Sequence, residues 1–595
     1  MKHTVQNAFE CVESGSYLLK LAVPPQPSYL LCKDSGRLFA WIAAGDCSCE
    51  DKRDVTTRYG SWRVTAQNDE EILFEREDVS TVWKEKRFVL TAREDSLEIR
   101  HQLTGEGVLE DVRFFRSTFD GAEYGFAGNF DEVWSAAPNF REQDWYHPTA
   151  RVIIAYGDDL SMCSGGHALA SVPHVMALHD RRDQALLGAA VFACPGEYLW
   201  DEMIWNPEVR TPLTDFAGDN SMAGGFAITY YGKKRVKGKW CSPSLVFTFP
   251  KALDAVVPTA LEYAYKNGFL SRPERRSVPQ WWNEPIYCTW HDQCAMVRKD
   301  TVNYHDHYPS PGTAATEELT ERWLNLLIEH NAKPGIVILD DKWQKSKLDG
   351  EPDTDKWPDM RRWIDQCHER GIRVFLWDAA WHNEDIPEDE AITRDGKIVC
   401  GDVTNPRYEA RLRRKIRLSF SDEPGCLNAD GVKIDGLLGL PGGRGLVNHG
   451  NLWGLELQRR FLEIYYDEAK RIKPEVCIST FSCHPYLDAQ TDMVRLADMY
   501  VYRLTTADSM RRRAKIYRDC HPYTPIDTDG QMHFHYADDY LDDLPIQREL
   551  GIPSLYAAEF ARRERFYLAP ITGKITENDY RAFAESFAEF RNINE

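Results

Sequence analysis

Residues 334–378, PGIVILDDKWQKSKLDGEPDTDKWPDMRRWIDQCHERGIRVFLWD, read as a strand, a helix and a second strand in immediate succession. PGIVILDD (334–341) is a short apolar run closed by two carboxylates, and RVFLWD (373–378) is another closed by Trp and Asp, with a segment of helical character between them. The alternation extends in both directions. Upstream, PIYCTWH (285–291) precedes a segment with Leu319, Trp323, Leu326 and Leu327 on one helical face. Downstream, a helix is predicted near 406–419. Then come GVKID (431–435) with a helix near 452–471, VCISTF (476–481), VRLADMY (494–500) with a helix near 507–518, YTPID (523–527) with a helix near 541–549, and IPSLYAAEF (552–560). A final helix starts with Thr576 and Asp579 in capping-box positions and carries Tyr580, Phe583, Ala584, Phe587 and Phe590 along one stripe. Eight strand–helix units over 283–595 predict an α/β (β/α)8 TIM barrel.

Before the barrel the grammar is different. From residue 1 to about 270, short alternating runs such as SYLLKLAVP, RLFAWIAAG, TVWKEKRFVLTARED and SLEIRHQLTG are separated by polar turn residues, the period-two pattern of a large antiparallel β-sandwich. The segment 252–270 is more helical despite Pro258, and SRPERRSVPQWW (271–282) reads as a linker. The predicted division is 1–270 sandwich, 271–282 linker and 283–595 barrel.

The whole chain has 595 residues with 72 Lys+Arg against 93 Asp+Glu, a net charge of −21, and no long basic run. Nucleic acid and anionic membranes are poor partners for such a surface, so a small or neutral ligand is expected. No run approaches the ~20 apolar residues of a membrane span, and the first 20 residues lack a signal-peptide apolar region, which predicts a cytoplasmic protein. The 15 cysteines occur without CxxC pairs, as expected of reduced thiols. A homo-oligomer is left open.

In a barrel of this kind the chemistry sits at the C-terminal ends of the strands. Those ends carry Asp340 and Asp341, Trp377 and Asp378, Lys433 and Asp435, Arg495 and Asp498, then Asp527 and Asp529. Lys433 and Asp435 are two apart on one strand, so their side chains share a face and the ammonium can keep the carboxylate ionised, as a nucleophile requires. Asp498, two strands further round, suits a carboxylic acid that gives and retrieves a proton. Two such groups form a glycosidase pair, retaining at ~5–5.5 Å separation and inverting at ~6.5–9.5 Å.

The ordered motifs ILDDKWQ, FLWD, VKID and VRLAD resemble the retaining α-glycoside hydrolases related to α-galactosidases, glycoside hydrolase families 27, 31 and 36. VKIDG replaces the K-W-D usual in family 36, and ADGVKIDG is closer to family 31. The resemblance implies Asp435 as nucleophile and Asp498 as acid/base. It implies sugar binding by Asp340, Asp341, Lys433 and Arg495, with Trp343 and Trp377 lining the pocket of the terminal sugar. The implied activity is that of a retaining exo-α-glycosidase, an α-galactosidase first, acting on a small carbohydrate with no metal and no cofactor. Alternatives are an α-glucosidase, an α-xylosidase or a transglycosylase on the same scaffold, a non-catalytic sugar-binding protein on a barrel, and a lyase or aldolase using Lys433 as a Schiff-base amine.

Other features have plainer readings. Asp378, Asp527 and Asp529 match no motif position and are expected to cap loops. Trp290 and Trp381 are weaker pocket candidates, and Trp145, Trp200 and Trp205 are expected at a domain interface or roofing the barrel mouth. HFH (533–535) and WHD (290–292) follow no zinc spacing, and GLPGGRG (439–445) fits an active-site loop better than a phosphate cradle.

Overall fold

The structure, a computed structural model, describes residues 1–115, 117–119, 122–128, 130, 132–136, 145–146, 168–169, 173–179, 186–206, 222–297, 311–496, 506–530, 537–561 and 573–594. Its C-terminal part is a ring of eight parallel strands. They are β1 (Ile286–Cys288), β2 (Ile336–Leu339), β3 (Arg373–Ala379), β4 (Gly431–Asp435), β5 (Cys477–Thr480), β6 (Met493–Arg495), β7 (Ile526–Asp527) and β8 (Ser554–Leu555). β1 pairs with both β2 and β8, and a parallel bridge between Asp527 and Ile552 closes the last seam, so the sheet is a barrel. All four residues of β2, and of β5, are buried. Buried on both faces, such strands are continuous apolar runs rather than alternating ones.

Helices α1 (Glu317–Glu329), α2 (Met360–Glu369), α3 (Pro406–Phe420), α4 (Gly454–Ile472), α5 (Thr506–Cys520), α6 (Ala537–Leu550) and α7 (Glu577–Asn594) surround the ring. Their starts are built locally: Thr316 caps α1 by accepting from the Leu319 N–H, Asp359 caps α2, and Asn405 followed by Pro406 opens α3. The expected capping box at α7 is present, with the Thr576 N–H and hydroxyl both donating to Asp579 Oδ2. One unit departs from the strand–helix alternation. After β5 the chain makes only a 3-10 turn, Pro485–Gln490, whose Asp488 accepts from His521 at the end of α5.

At the N-terminal end of the barrel, Asp430 joins four elements. Its fully buried carboxylate receives Lys473 at 2.8 Å, Arg373 at 3.2 Å, the Val374 N–H at 3.0 Å and the His368 ring at 2.7 Å. These contacts hold down the foot of β3 and β4 against α2 and α4.

The first part of the chain is antiparallel throughout. Strands such as Tyr17–Leu21 and Glu71–Ser80 alternate buried and open positions, as half-buried sandwich strands do. The long strand Ser96–Arg113 pairs with Met222–Cys241, with a bulge between Leu109 and Asp111. The core is aromatic, with Phe115 stacked on Phe247 at 5.8 Å and packed near Phe126, Phe226 and Trp41. Such rings contribute about 0.5–1.5 kcal/mol per pair beyond the area they bury. Helix Val256–Lys266 follows the last sandwich strand. The run RVIIAYG (151–157), expected as a strand, lies outside the described residues.

The sandwich docks on the barrel through residues 196–201. The N–H groups of Gly196 and Tyr198 both donate to Glu456 Oε1 at the start of α4, at 2.8 and 3.1 Å. Asp201 accepts from the Gly443 N–H at 2.7 Å, and Arg444 pairs with Glu110. Trp200 is buried there against Tyr198 and His174, the interface role foreseen for it. The side chains of Trp145 and Trp205 lie outside the described residues. GLPGGRG therefore belongs to the loop after β4 that the sandwich grips.

Candidate active site

The strand ends bring the predicted polar residues into one connected network. Arg495, at the end of β6 and 2% exposed, places its guanidinium fork between two carboxylates: Nη2 donates to Asp435 Oδ1 at 2.5 Å and Nη1 to Asp529 Oδ2 at 2.9 Å. Its flat face lies 4.7 Å from the centre of the Phe481 ring. Asp435 Oδ1 also accepts from the Gly436 N–H at 2.9 Å, while Oδ2, among the described residues, receives only the Trp377 indole N–H, at 3.2 Å. The Asp435 side chain keeps 38% of its surface open, the opposite of its partner Arg495. Burial pushes the Asp435 carboxyl up, but Arg495 and then Lys433 outweigh it and hold the acid below its ordinary range, so it is a carboxylate at neutral pH.

Lys433 acts on the Asp435 carboxylate through its charge, as the spacing argument expects, and not through a direct ion pair. Its Nζ turns to Asp340 Oδ2 at 2.7 Å and donates to the Tyr556 hydroxyl at 3.2 Å, with Cys288 Sγ at 3.7 Å. Two residues apart on a strand fixes the shared face but not the partner. On that face the β2 carboxylate meets the ammonium, and the larger fork from β6 takes Asp435. Burial alone pulls the Lys433 ammonium down, yet Asp340 and Cys288 carry it above the ordinary lysine value. A lysine held so firmly as an ammonium is not the free amine that Schiff-base chemistry needs.

Asp340 is 4% exposed, and its Oδ2 also accepts the Cys288 thiol at 3.1 Å. Asp341 sits beside it, partly open, 3.5 Å from the Lys347 ammonium; burial, first among its influences, raises the Asp341 carboxyl. Trp343 is buried and donates its indole N–H to the Trp377 carbonyl at 3.0 Å, so it braces the end of β3. Trp377 presents its ring under Lys347 Nζ at 5.0 Å and its N–H to Asp435. Asp340, Lys433, Asp435, Arg495, Trp343 and Trp377 are therefore one assembly. Asp498 lies outside the described residues, as does HFH (533–535).

Among the residues expected only to cap loops, the structure separates three cases. Asp378 is held by Lys415 at 2.5 Å and by the Tyr465 hydroxyl at 2.9 Å, a purely supporting contact between β3 and helices α3 and α4. Asp527 caps as expected, accepting the Asp529 N–H at 2.8 Å, and burial followed by the Asp529 charge lifts its carboxyl to about 6. Asp529 does more: it is the second carboxylate on Arg495, and its other oxygen takes the Tyr556 hydroxyl. Tyr556 and Cys288, at the ends of β8 and β1, were not singled out from the sequence. Their strand-end positions were the available signal, but neither carries a charge. Trp381 donates to the Leu437 carbonyl at 3.2 Å and packs on Phe461, which makes it part of the loop scaffold. In WHD, His291 contacts the Phe560 carbonyl and Asp292 accepts three backbone N–H groups of residues 558–560, so these residues pin the loop after β8.

Above this ring the loops after β3 and β4 form a small antiparallel sheet, Ala391–Arg394 with Lys397–Gly401 and Leu446–Val447. Its tight turn is Asp395–Gly396, both with left-handed φ, the Asp-Gly signature of a two-residue hairpin.

No protein-family model matches the sequence, and no curated protein does. Solved structures match over nearly the whole chain. An α-N-acetylgalactosaminidase from Bifidobacterium bifidum, in its Gal-NHAc-DNJ complex, superposes with a TM-score of 0.60 at 14% identity, covering 98% of this chain and 93% of the other. A family GH31 sulfoquinovosidase from E. rectale gives 0.55 at 10% identity over 99% and 83%, and an α-galactosidase from Thermus thermophilus gives 0.50 at 15% over 88% and 99%. The fold is the one these glycosidases share. A β-sandwich followed by a (β/α)8 barrel is thus common to all of them, as the strand order foresaw.

Proposed function

We propose that the protein is a retaining exo-α-glycosidase, with an α-galactoside as its leading substrate class. The observation that carries the reading is the state of Asp435. It is an ionised, partly open carboxylate at the mouth end of β4, with Oδ1 fixed by Arg495 and Gly436 and Oδ2 more lightly held. That is what a nucleophile needs: charge retained, one oxygen anchored, the other presented. In the proposed reaction Asp498 protonates the glycosidic oxygen while Asp435 attacks the anomeric carbon, forming a glycosyl-enzyme ester and releasing the aglycone. Asp498 then removes a proton from water, which attacks the same carbon and returns the sugar with its configuration kept. Asp340 and Asp341 accept hydrogen bonds from sugar hydroxyls, Lys433 and Arg495 donate to them, and the Trp377 ring covers an apolar sugar face. The structural neighbours, named for α-galactoside, α-N-acetylgalactosaminide and sulfoquinovoside hydrolysis, support a sugar ligand.

The test is release of nitrophenol from a panel of aryl α- and β-glycosides (galactose, N-acetylgalactosamine, glucose, xylose, sulfoquinovose), with NMR of the anomer first formed. An α-anomer released from an α-glycoside, and its loss in Asp435→Asn, is the expected result. Release of the β-anomer, or full activity in Asp435→Asn, would remove the double-displacement reading.

A further inference from the structure

We infer that Asp529 and Tyr556 are positioning residues for the proposed nucleophile, a tier beneath the sugar site that locks the Arg495 fork and ties it to Lys433. The inference rests on the glycosidase reading and concerns residues that none of its motifs contains.

The geometry is a chain of partners running around the barrel, which leaves β4 at Lys433 and returns to it at Asp435. Asp340 on β2 holds Lys433 on β4, and Lys433 donates to the Tyr556 hydroxyl oxygen behind β8. The Tyr556 hydroxyl in turn donates to Asp529 Oδ1 behind β7, Asp529 Oδ2 takes Arg495 Nη1 from β6, and Arg495 Nη2 holds Asp435 on β4. Asp529 and Tyr556 are both fully buried. The two oxygens of Asp529 are divided between one phenol and one guanidinium, so neither partner can swing without breaking a buried hydrogen bond. A planar guanidinium gripped by two carboxylates is fixed in its plane, whereas one carboxylate leaves it free to tilt. Tilting the fork would move Asp435 Oδ1 and with it the attacking Oδ2.

The backbone adds a second observation. Asp529 sits at φ +52°, a left-handed conformation that costs a non-glycine residue free energy, and its N–H is used to reach Asp527 Oδ1 at 2.8 Å. A residue that only capped a loop would need its backbone there but not its carboxylate on Arg495. Tyr556 has the matching property: its hydroxyl links the Lys433 side of the ring to the Arg495 side through Asp529.

The charge pattern gives a readout that simple scaffolding would not move. Asp435 is faced by Arg495 from β6, by Lys433 on its own strand and by the Trp377 indole from β3. Asp529 is faced by Arg495, Tyr556 and Asp527. The negative charge of Asp529 opposes that of Arg495 at Asp435, so making Asp529 neutral favours the ionised Asp435 further.

The experiment uses the full-length protein and whichever aryl α-glycoside the wild type hydrolyses. Asp529→Asn is expected to lower kcat/KM by about 100-fold, the scale of a small misplacement of a reacting group, mainly through kcat. The acid limb of its kcat/KM profile should move to lower pH. Tyr556→Phe, which keeps the ring and removes only the hydroxyl, is expected to lose about 10-fold, again in kcat more than KM. If both variants turn over within about twofold of wild type with an unshifted acid limb while Asp435→Asn is dead, the positioning role is wrong and the glycosidase reading stands. If Asp435→Asn retains activity, or the wild type is silent on every glycoside, both fall. Should Asp529→Asn fail to fold, Tyr556→Phe decides, since nothing about its packing changes.

Discussion

Asp430, at the foot of the barrel, allows a prediction worked through to a number. Burial pushes its carboxyl up, but the His368 hydrogen bond and Lys473 outweigh it and bring the acid down to about 2, against an ordinary 3.8. A gap of about 1.8 pH units at about 1.36 kcal/mol each makes the folded state about 2.5 kcal/mol more stable through this one ionisation. The side chain has no exposed surface, so solvent screening does not reduce that figure. Because the folded value is the lower one, the contribution is complete above the unfolded value near 3.8 and disappears as the pH falls through about 2. Asp430→Asn is the appropriate perturbation. Its amide oxygen can still accept the Val374 N–H, and Lys473, Arg373 and His368 are open enough to hydrate (26%, 42% and 21%), so the loss stays close to the ionic part. With about 2.1 cal/mol/K of unfolding entropy per residue over a barrel of about 310 residues, 2.5 kcal/mol corresponds to about 4 °C. Thermal melts of wild type and variant should therefore differ by about 4 °C at pH 7 and by about half of that at pH 3. Identical melts at pH 7, or a gap that is unchanged at pH 3, would refute the reasoning.

Asp340→Asn leaves the Lys433 ammonium buried with its charge unmatched, and it should destabilise by about 3–5 kcal/mol in urea titration, with Asp340→Leu/Lys433→Met recovering most of that stability without activity. Trp377→Phe keeps an aromatic face but removes the N–H to Asp435 Oδ2, so kcat/KM on an aryl α-glycoside should fall about 10-fold in steady-state assays, with a lower melting temperature from the space the buried indole leaves. Asp498→Asn should cost far more on glycosides with poor leaving groups than on nitrophenyl glycosides, compared by kcat/KM, because only the former require the proton.

The barrel was legible because its strands are buried on both faces and so are written as apolar runs, each ending abruptly in Asp, Lys, Arg or Trp. ILDD, FLWD and VKID mark β2, β3 and β4 to within a residue or two. No helix was read between the fifth and sixth strands, and the loop there, which contains Pro485, makes only a 3-10 turn. The polar partners were less legible than the polar residues. Alternation along β4 puts Lys433 and Asp435 on one face, but which acid each meets depends on the relative rotation of β2, β4 and β6, a property of the closed ring rather than of any one strand. Tyr556 and the second role of Asp529 escaped for the same reason: TDG after β7 looks like an ordinary turn, and Tyr556 at the end of β8 like any strand aromatic, until the ring sets them against Arg495 and Lys433. The hairpin after β3 was announced by Asp395–Gly396 and could have been found.

Gly454 opens α4 with φ +54°, and any side chain added there would meet the carbonyl of Trp200 at 2.3 Å and that of Tyr198 at 2.9 Å. The sandwich backbone thus passes against the helix where no atom can be spared, with Glu456 receiving its N–H groups two residues on. The barrel is consequently not a portable module. Expressed without its partner it would bare His484, Tyr486 and a Glu456 Oε1 stripped of its two backbone donors on one flank, and exchanging its sandwich for that of another glycosidase would succeed only if the incoming loop followed the same path over Gly454. Shuffling such enzymes is therefore constrained at this glycine, well before the catalytic residues are considered.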